Sequence, residues 1–150
     1  SAWLSTRGVQ QWLPNTLSAS QLQEQITDGT VFVVRDGPPI AASLTLTSSD
    51  PAFWGDDPTP AGYVHRLMVR RDLAGRGLGS DLLRWAEDTC RQKNRRVLRL
   101  DCDETNEVLR RLYAREGFRE VGRRFIPGLL AHGGGIVLFE KSLTIQWENS

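Results

Sequence analysis

The segment Ala74-Gly75-Arg76-Gly77-Leu78-Gly79-Ser80 holds the residues whose types and spacing point most directly to chemistry. It lies between a strand-like run, Tyr63–Val69, and a stretch with helical periodicity from Leu78 onward. A strand that turns through glycines into a helix gathers unpaired backbone N–H groups and the positive end of a helix dipole at one place. Glycine lets a ligand lie against the main chain because no Cβ intervenes. Residues 75–80 are therefore expected to bind a phosphate or pyrophosphate.

Three glycine-loop types compete for this segment. A Walker loop needs Gly-x-x-x-x-Gly-Lys-Ser/Thr, and no lysine stands near these glycines, which excludes it. A dinucleotide fingerprint would use Gly75, Gly77 and Ser80, with Asp101 at about the right distance onward. It fits less well, because that fingerprint opens almost directly after its strand and belongs to paired strand–helix–strand halves. Only one such unit is visible here. A third type of glycine loop fits the segment better than either.

Other residues with chemical potential are scattered around the loop. His65 precedes Leu67 by two positions, and histidine is the side chain best suited to accept a proton near neutral pH. A histidine hydrogen-bonded within the sheet is an equally good reading. Asp101 and Asp103 end a later strand and are alternative bases or partners for a cationic substrate; solvated loop carboxylates are as common. Asn106 is a good helix N-cap. Tyr113 shares an apolar stripe with Leu109.

The elements that must position these residues follow from periodicity and turn chemistry. Residues 1–8 read as a helix end stopping at Gly8, and Ser18 or Ser20 as the cap of a helix through about Thr27. Strands are expected at Thr30–Arg35, Ile40–Thr47, Tyr63–Val69, Val97–Asp101, Arg119–Ile126 and Ile136–Lys141. A proline-rich loop occupies residues 48–61. One helix carries Leu78, Leu82, Trp85, Ala86 and Thr89 on its apolar stripe, with Arg84, Glu87, Asp88 and Arg91 opposite. A second starts near Asn106 and ends at Gly117. The alternation Leu143, Ile145, Trp147 predicts that the last strand runs on past Lys141. This order is that of an α/β fold with a mixed central sheet, whose strand–helix–strand unit is parallel and right-handed.

Composition sets outer limits. At 150 residues the chain is expected to be a single domain, 1–150. Nineteen basic side chains against eighteen acidic ones leave a net charge of +1, which excludes a polyanion-binding arm and makes nucleic acid an unexpected partner. Two cysteines make no disulfide scaffold, and no Cys/His cluster has metal-ligand spacing, so a reduced cytoplasmic protein without a metal is expected. No apolar run reaches the ~20 residues that cross a bilayer, and residues 1–8 lack a signal-peptide pattern.

The glycine loop and the Asn106–Phe118 segment together resemble the GNAT acetyltransferase superfamily over nearly the whole chain. Its signature, Arg/Gln-x-x-Gly-x-Gly/Ala, falls on Ala74-Gly75-Arg76-Gly77-Leu78-Gly79 after Leu67-Met68-Val69. A second motif, Asn followed seven residues later by Tyr and then Gly-Phe, falls on Asn106, Tyr113, Gly117 and Phe118. Ala74 departs from the opening Arg/Gln, and the family's first strand has no counterpart before Trp3.

The resemblance implies splayed parallel strands flanked by helices. It implies acetyl-CoA as cosubstrate, with main-chain contacts from Leu67, Met68 and Val69 to the pantetheine arm and a further contact from Asn106. Ala74 through Ser80 would take the diphosphate. The implied reaction is direct transfer of acetyl to a primary amine of a small molecule or peptide, with a main-chain N–H near Val69 beside the oxyanion. Tyr113 corresponds to the general acid that protonates the departing sulfur, and His65 resembles a proton-relay histidine of the arylalkylamine acetyltransferases, with Tyr63 at the other relay position. Arg76 or Arg115 would meet coenzyme A phosphates. The double arginines Arg70-Arg71, Arg95-Arg96, Arg110-Arg111 and Arg123-Arg124 read as solvated faces matched with acids. Trp12, Phe53, Trp54 and Phe125 are candidates for an acceptor pocket, packing being the commoner use of such residues. A second copy of the chain is a candidate partner, since dimers are common in the family. The contrasting possibility is a non-catalytic GNAT-type module that senses acyl-CoA.

Overall fold

β-branched and alternating residues form strands where the sequence places them, and the two amphipathic stretches form helices. The computed structural model describes residues 19–26, 29–37, 39–125 and 135–143. Expectations for residues 1–18 and for the tail past Leu143 lie outside these. The chain falls into two units, one comprising residues 1–48 and 64–86, the other 49–63 and 87–150.

The first unit is built on four neighbouring strands in the order β1 (Ala19–Ile26), β2 (Gly29–Asp36), β3 (Ile40–Thr47) and β4 (Ala61–Val69, from Val64 on). β1 replaces the helix expected there. It runs antiparallel to β2 with Ile26 opposite Gly29 and Ala19 opposite Asp36. Leu22 and Ile26 are four apart, a spacing that satisfies both the helical and the strand period, and Asp-Gly is a hairpin signal as well as a helix stop. Gly29 is required by close approach, since a Cβ there would collide with the Leu46 carbonyl oxygen. β2 and β3 are antiparallel, with a bulge at Val34/Arg35 before the turn at Asp36 and Gly37. A 3-10 turn, Arg71–Leu73, leads to the glycine loop and to α2 (Leu78–Gln92). Phe32, Leu44, Leu78, Leu82, Leu83 and Ala86 are buried, and the Phe32 ring centroid lies 4.6 Å from that of Trp85.

The second unit has the strand order β4, β5 (Val97–Asp103), β7 (Gly135–Ser142), β6 (Arg119–Phe125). β4 pairs with β5 in parallel over Ala61–Tyr63 against Val97–Arg99, three of its residues. β7 is antiparallel to both neighbours, so the sheet is mixed as expected. Within the loop 48–61, Pro51–Trp54 form the short helix α1, with Asp50 as N-cap and Pro51 opening it. α3 (Glu107–Arg115) is capped by Asn106, and Gly117 follows it at φ +95°.

The core of the second unit includes Leu98, Leu100, Tyr113, Phe118, Val137, Leu138 and Phe139. Glu87, expected on the solvent face of α2, is instead buried and accepts a 2.9 Å hydrogen bond from Lys141 Nζ. Among the described residues no helix is long and apolar enough to cross a membrane.

Candidate functional site

In the first unit, β4 is irregular where the chemistry is expected. Its first four residues are buried, after which half-buried and exposed residues alternate. Arg66 sits at φ +55° in the middle of the strand, a conformation that disfavours side chains and that concentrates at functional sites. His65 is half-buried, and its Nε2 lies 3.1 Å from Thr47 Oγ1 on β3. The sheet-bonded reading of this histidine is thus realised, and the same contact fixes the ring's orientation. Leu67 and Val69 are half-buried, and Met68 is 61% exposed.

Gly75 and Gly77 adopt φ +84° and +81°, and a Cβ added to either would meet nothing within 4 Å. The turn is thus both glycine-dependent and open to a ligand lying on its main chain. Leu78 and Gly79 are buried as the helix begins, and Asp81 N–H closes a turn onto Gly77 O at 3.0 Å. The N–H groups of Leu78, Gly79 and Ser80 are those that a helix start leaves for an anion.

In the second unit, Tyr113 is only 2% exposed, its ring edge-on to Phe139 at 5.3 Å and 6.0 Å from Phe118. Burial, with smaller contributions from Cys102 and Asp101, pushes its phenol well above the ordinary tyrosine value. Asn106 Oδ1 caps the helix, accepting from Leu109 N–H at 3.1 Å, and its amide nitrogen is a donor open to a ligand. Asp101 is pushed up to about 6, first by burial and then by the negative charge of Asp50. The two carboxylates have oxygens within 4.8 Å of each other.

The chain matches the Acetyltransferase (GNAT) family over residues 2–118. It belongs to the GNAT acetyltransferases. It is 34% identical over 151 residues to the uncharacterised N-acetyltransferase YesJ of Bacillus subtilis, covering 96% of this chain and 79% of that one. Its fold is similar to that of nourseothricin acetyltransferase, with a TM-score of 0.68 and 20% identity over 79% of this chain and 67% of that one. A Bacillus anthracis acetyltransferase assigned by inference to streptothricin, solved with acetyl coenzyme A, aligns with a TM-score of 0.65 and 14% identity over 80% and 65% of the two chains. This GNAT protein is therefore an acyltransferase, and its chemistry is acetyl transfer.

Of the GNAT-type residues expected from sequence, the first unit contains His65, Leu67, Met68, Val69 and the loop from Ala74 through Ser80. The second contains Tyr113 and Asn106. Trp54 lies under the Arg99 guanidinium, 4.5 Å from its ring centre, which makes it a packing residue; Phe125 is exposed on β6, and Trp12 lies outside the described residues. Arg76 and Arg115 are exposed. Of the paired arginines, Arg110 is matched with Glu120 at 2.8 Å and Arg123 with Glu104 at 2.9 Å, as expected, whereas Arg124 Nε donates to the Phe53 carbonyl at 2.9 Å.

Two features escaped sequence reasoning. Asp50 was legible only as a cap before proline, and its proximity to Asp101 depends on tertiary structure. Arg99, between Leu98 and Leu100 in β5, is buried and donates to Tyr63 Oη at 3.0 Å, Asp57 at 3.0 Å and Glu140 at 2.8 Å. A lone arginine within a buried run was the available signal, because such a charge requires partners.

Proposed function

We propose that residues 1–150 act as one N-acetyltransferase domain that moves an acetyl group from acetyl-CoA to a primary amine of a small molecule or peptide. The observation that carries this reading is the open glycine turn at Gly75 and Gly77, joined to the first N–H groups of a 15-residue helix. These residues fit a diphosphate. With Ala74 in place of an opening arginine or glutamine, the main chain and Arg76 would carry the contact. Leu67, Met68 and Val69 lie beyond the three β4 residues that pair with β5, which supports main-chain pairing of this stretch with the pantetheine arm. Asn106 would add its amide nitrogen.

Acetyl-CoA supplies the acyl group as a thioester, which the amine attacks directly. The chain's own residues handle protons and charge. Tyr113 is the proton donor toward the sulfur. Burial keeps its hydroxyl protonated at neutral pH, and the same desolvation would raise a thiolate at that spot, so the gap between the two is what governs transfer. The Val69 N–H is the candidate oxyanion donor. His65, its ring held by Thr47, is the proposed acceptor of the ammonium proton; Asp101, ionised above pH about 6, is the second acceptor that the structure favours. The name of the Bacillus subtilis relative supports nitrogen as the acceptor atom. A cytoplasmic setting fits Cys90 and Cys102, both free and buried.

The test is release of free coenzyme A thiol on incubation of acetyl-CoA with a panel of primary amines. Amine-dependent release is expected. Tight cofactor binding with no turnover on any amine would instead support an acyl-CoA sensor.

A further inference from the structure

Arg70 joins the end of β4 to the glycine loop. Its guanidinium is forked. Nε donates to Asp72 Oδ1 at 2.6 Å, and Nη2 donates both to Asp72 Oδ2 at 3.1 Å and to Asp36 Oδ2 at 2.9 Å. Its main chain is committed as well, with N–H to Ala41 O at 2.8 Å and its carbonyl accepting from Leu73 N–H at 2.9 Å. Asp36 closes β2 and is itself fixed in the β2–β3 turn by its N–H bond to Pro39 O at 2.9 Å. On the other side, Leu73 is buried and stands two residues before Gly75. One side chain thus ties the hairpin turn to the 3-10 turn from which the loop departs.

We propose that Arg70 is a positioning residue that fixes the acyl-donor loop by tying it to the β2–β3 turn. This rests on the reading of residues 74–80 as the coenzyme A loop. The departure at Ala74 gives the tie its purpose: a loop without its own opening guanidinium depends on how well its main chain is held. Charge works in the same direction. The Asp72 carboxyl is held below the ordinary carboxylate range by Arg70 first, and also by Arg76 on the loop. Without Arg70, that carboxylate would draw on Arg76 and present an uncompensated negative charge to an anionic ligand. Arg70 and Asp36 are each about one-third exposed (32% and 34%), so the tie adds little to global stability, and its effect belongs at the loop.

Two variants test this. Asp36→Ala cuts the link to the hairpin and leaves the Arg70–Asp72 fork; Arg70→Lys keeps the charge but cannot reproduce the fork. Both are expected to bind coenzyme A about fivefold more weakly by calorimetry, the most an ion pair of this exposure is worth. In the ligand-free protein, both should exchange the Leu73 and Ala74 amide protons faster, with thermal midpoints within about 3 °C of wild type. Unchanged affinity in both variants overturns the assignment, as does unchanged amide exchange. A wild-type protein that fails to bind coenzyme A sinks the donor-loop reading instead, and the exchange comparison still decides whether Arg70 holds the loop.

Discussion

Replacing Asp101 by Asn should make the protein more stable and less active, and the size of the gain follows from its surroundings. The carboxyl is raised from 3.8 to about 6 by burial and by the neighbouring Asp50 charge. At ~1.4 kcal/mol per pH unit, keeping it ionised in the fold costs on the order of 3 kcal/mol. The sign fixes where this appears. Below pH about 4 the group is protonated in both folded and unfolded chains and costs nothing. The stability is lost as pH rises through about 6, and above that the full cost applies. Asn keeps the shape and removes the charge. Urea unfolding should therefore show Asp101→Asn equal to wild type near pH 4 and more stable by up to about 3 kcal/mol at pH 7.5, or roughly 5–10 °C in thermal midpoint. Turnover should fall at the same time, and wild-type kcat/KM should rise with pH through about 6. A stability difference that does not change between pH 4 and pH 7.5 would refute the reasoning.

Three further expectations follow from other sites. Tyr113→Phe keeps the ring packed on Phe139, so the thermal midpoint and coenzyme A affinity should hold while turnover drops about a hundredfold or more, measured by thiol release. Arg99→Met removes a buried charge that faces Glu140 and Asp57 and leaves both acids without it, so unfolding free energy should fall by about 3–5 kcal/mol in denaturant titration. Cys90 and Cys102 are both pushed up to about 11, chiefly by burial, so iodoacetamide at pH 8 should alkylate them only slowly in the native protein and rapidly after unfolding, as read by intact mass.

What could be read from the residues alone was whatever local chemistry decides. Gly75 and Gly77 form the open turn between a strand and a helix that their types anticipate, and Asn106 and Gly117 bracket α3 as cap and stop. The β-branched run after Gly29 is a strand because few other conformations suit it. Features decided by distant partners were not legible. β1 is a strand through pairing with β2, although its own spacing fits a helix equally. Glu87 is buried with Lys141, 54 residues away, donating to its carboxylate at 2.9 Å, beside the local Arg91 at 3.5 Å. The insertion of β7 between β5 and β6 depends on pairing between segments whose patterns fit several orders. Asp101 and Asp50 are far apart in sequence, and their mutual repulsion appears only once the chain is folded.

The most direct measurement is calorimetric titration of coenzyme A, alongside pantetheine as the fragment without a diphosphate, into the wild-type protein and Gly77→Val. The valine must adopt φ near +81°, which it strongly disfavours, and its side chain would occupy the open face of the turn. Saturable binding of coenzyme A to wild type, much weaker binding of pantetheine, and loss of the difference in Gly77→Val are predicted. Equal binding of the two ligands, or a valine variant that binds coenzyme A as well as wild type, would contradict the account.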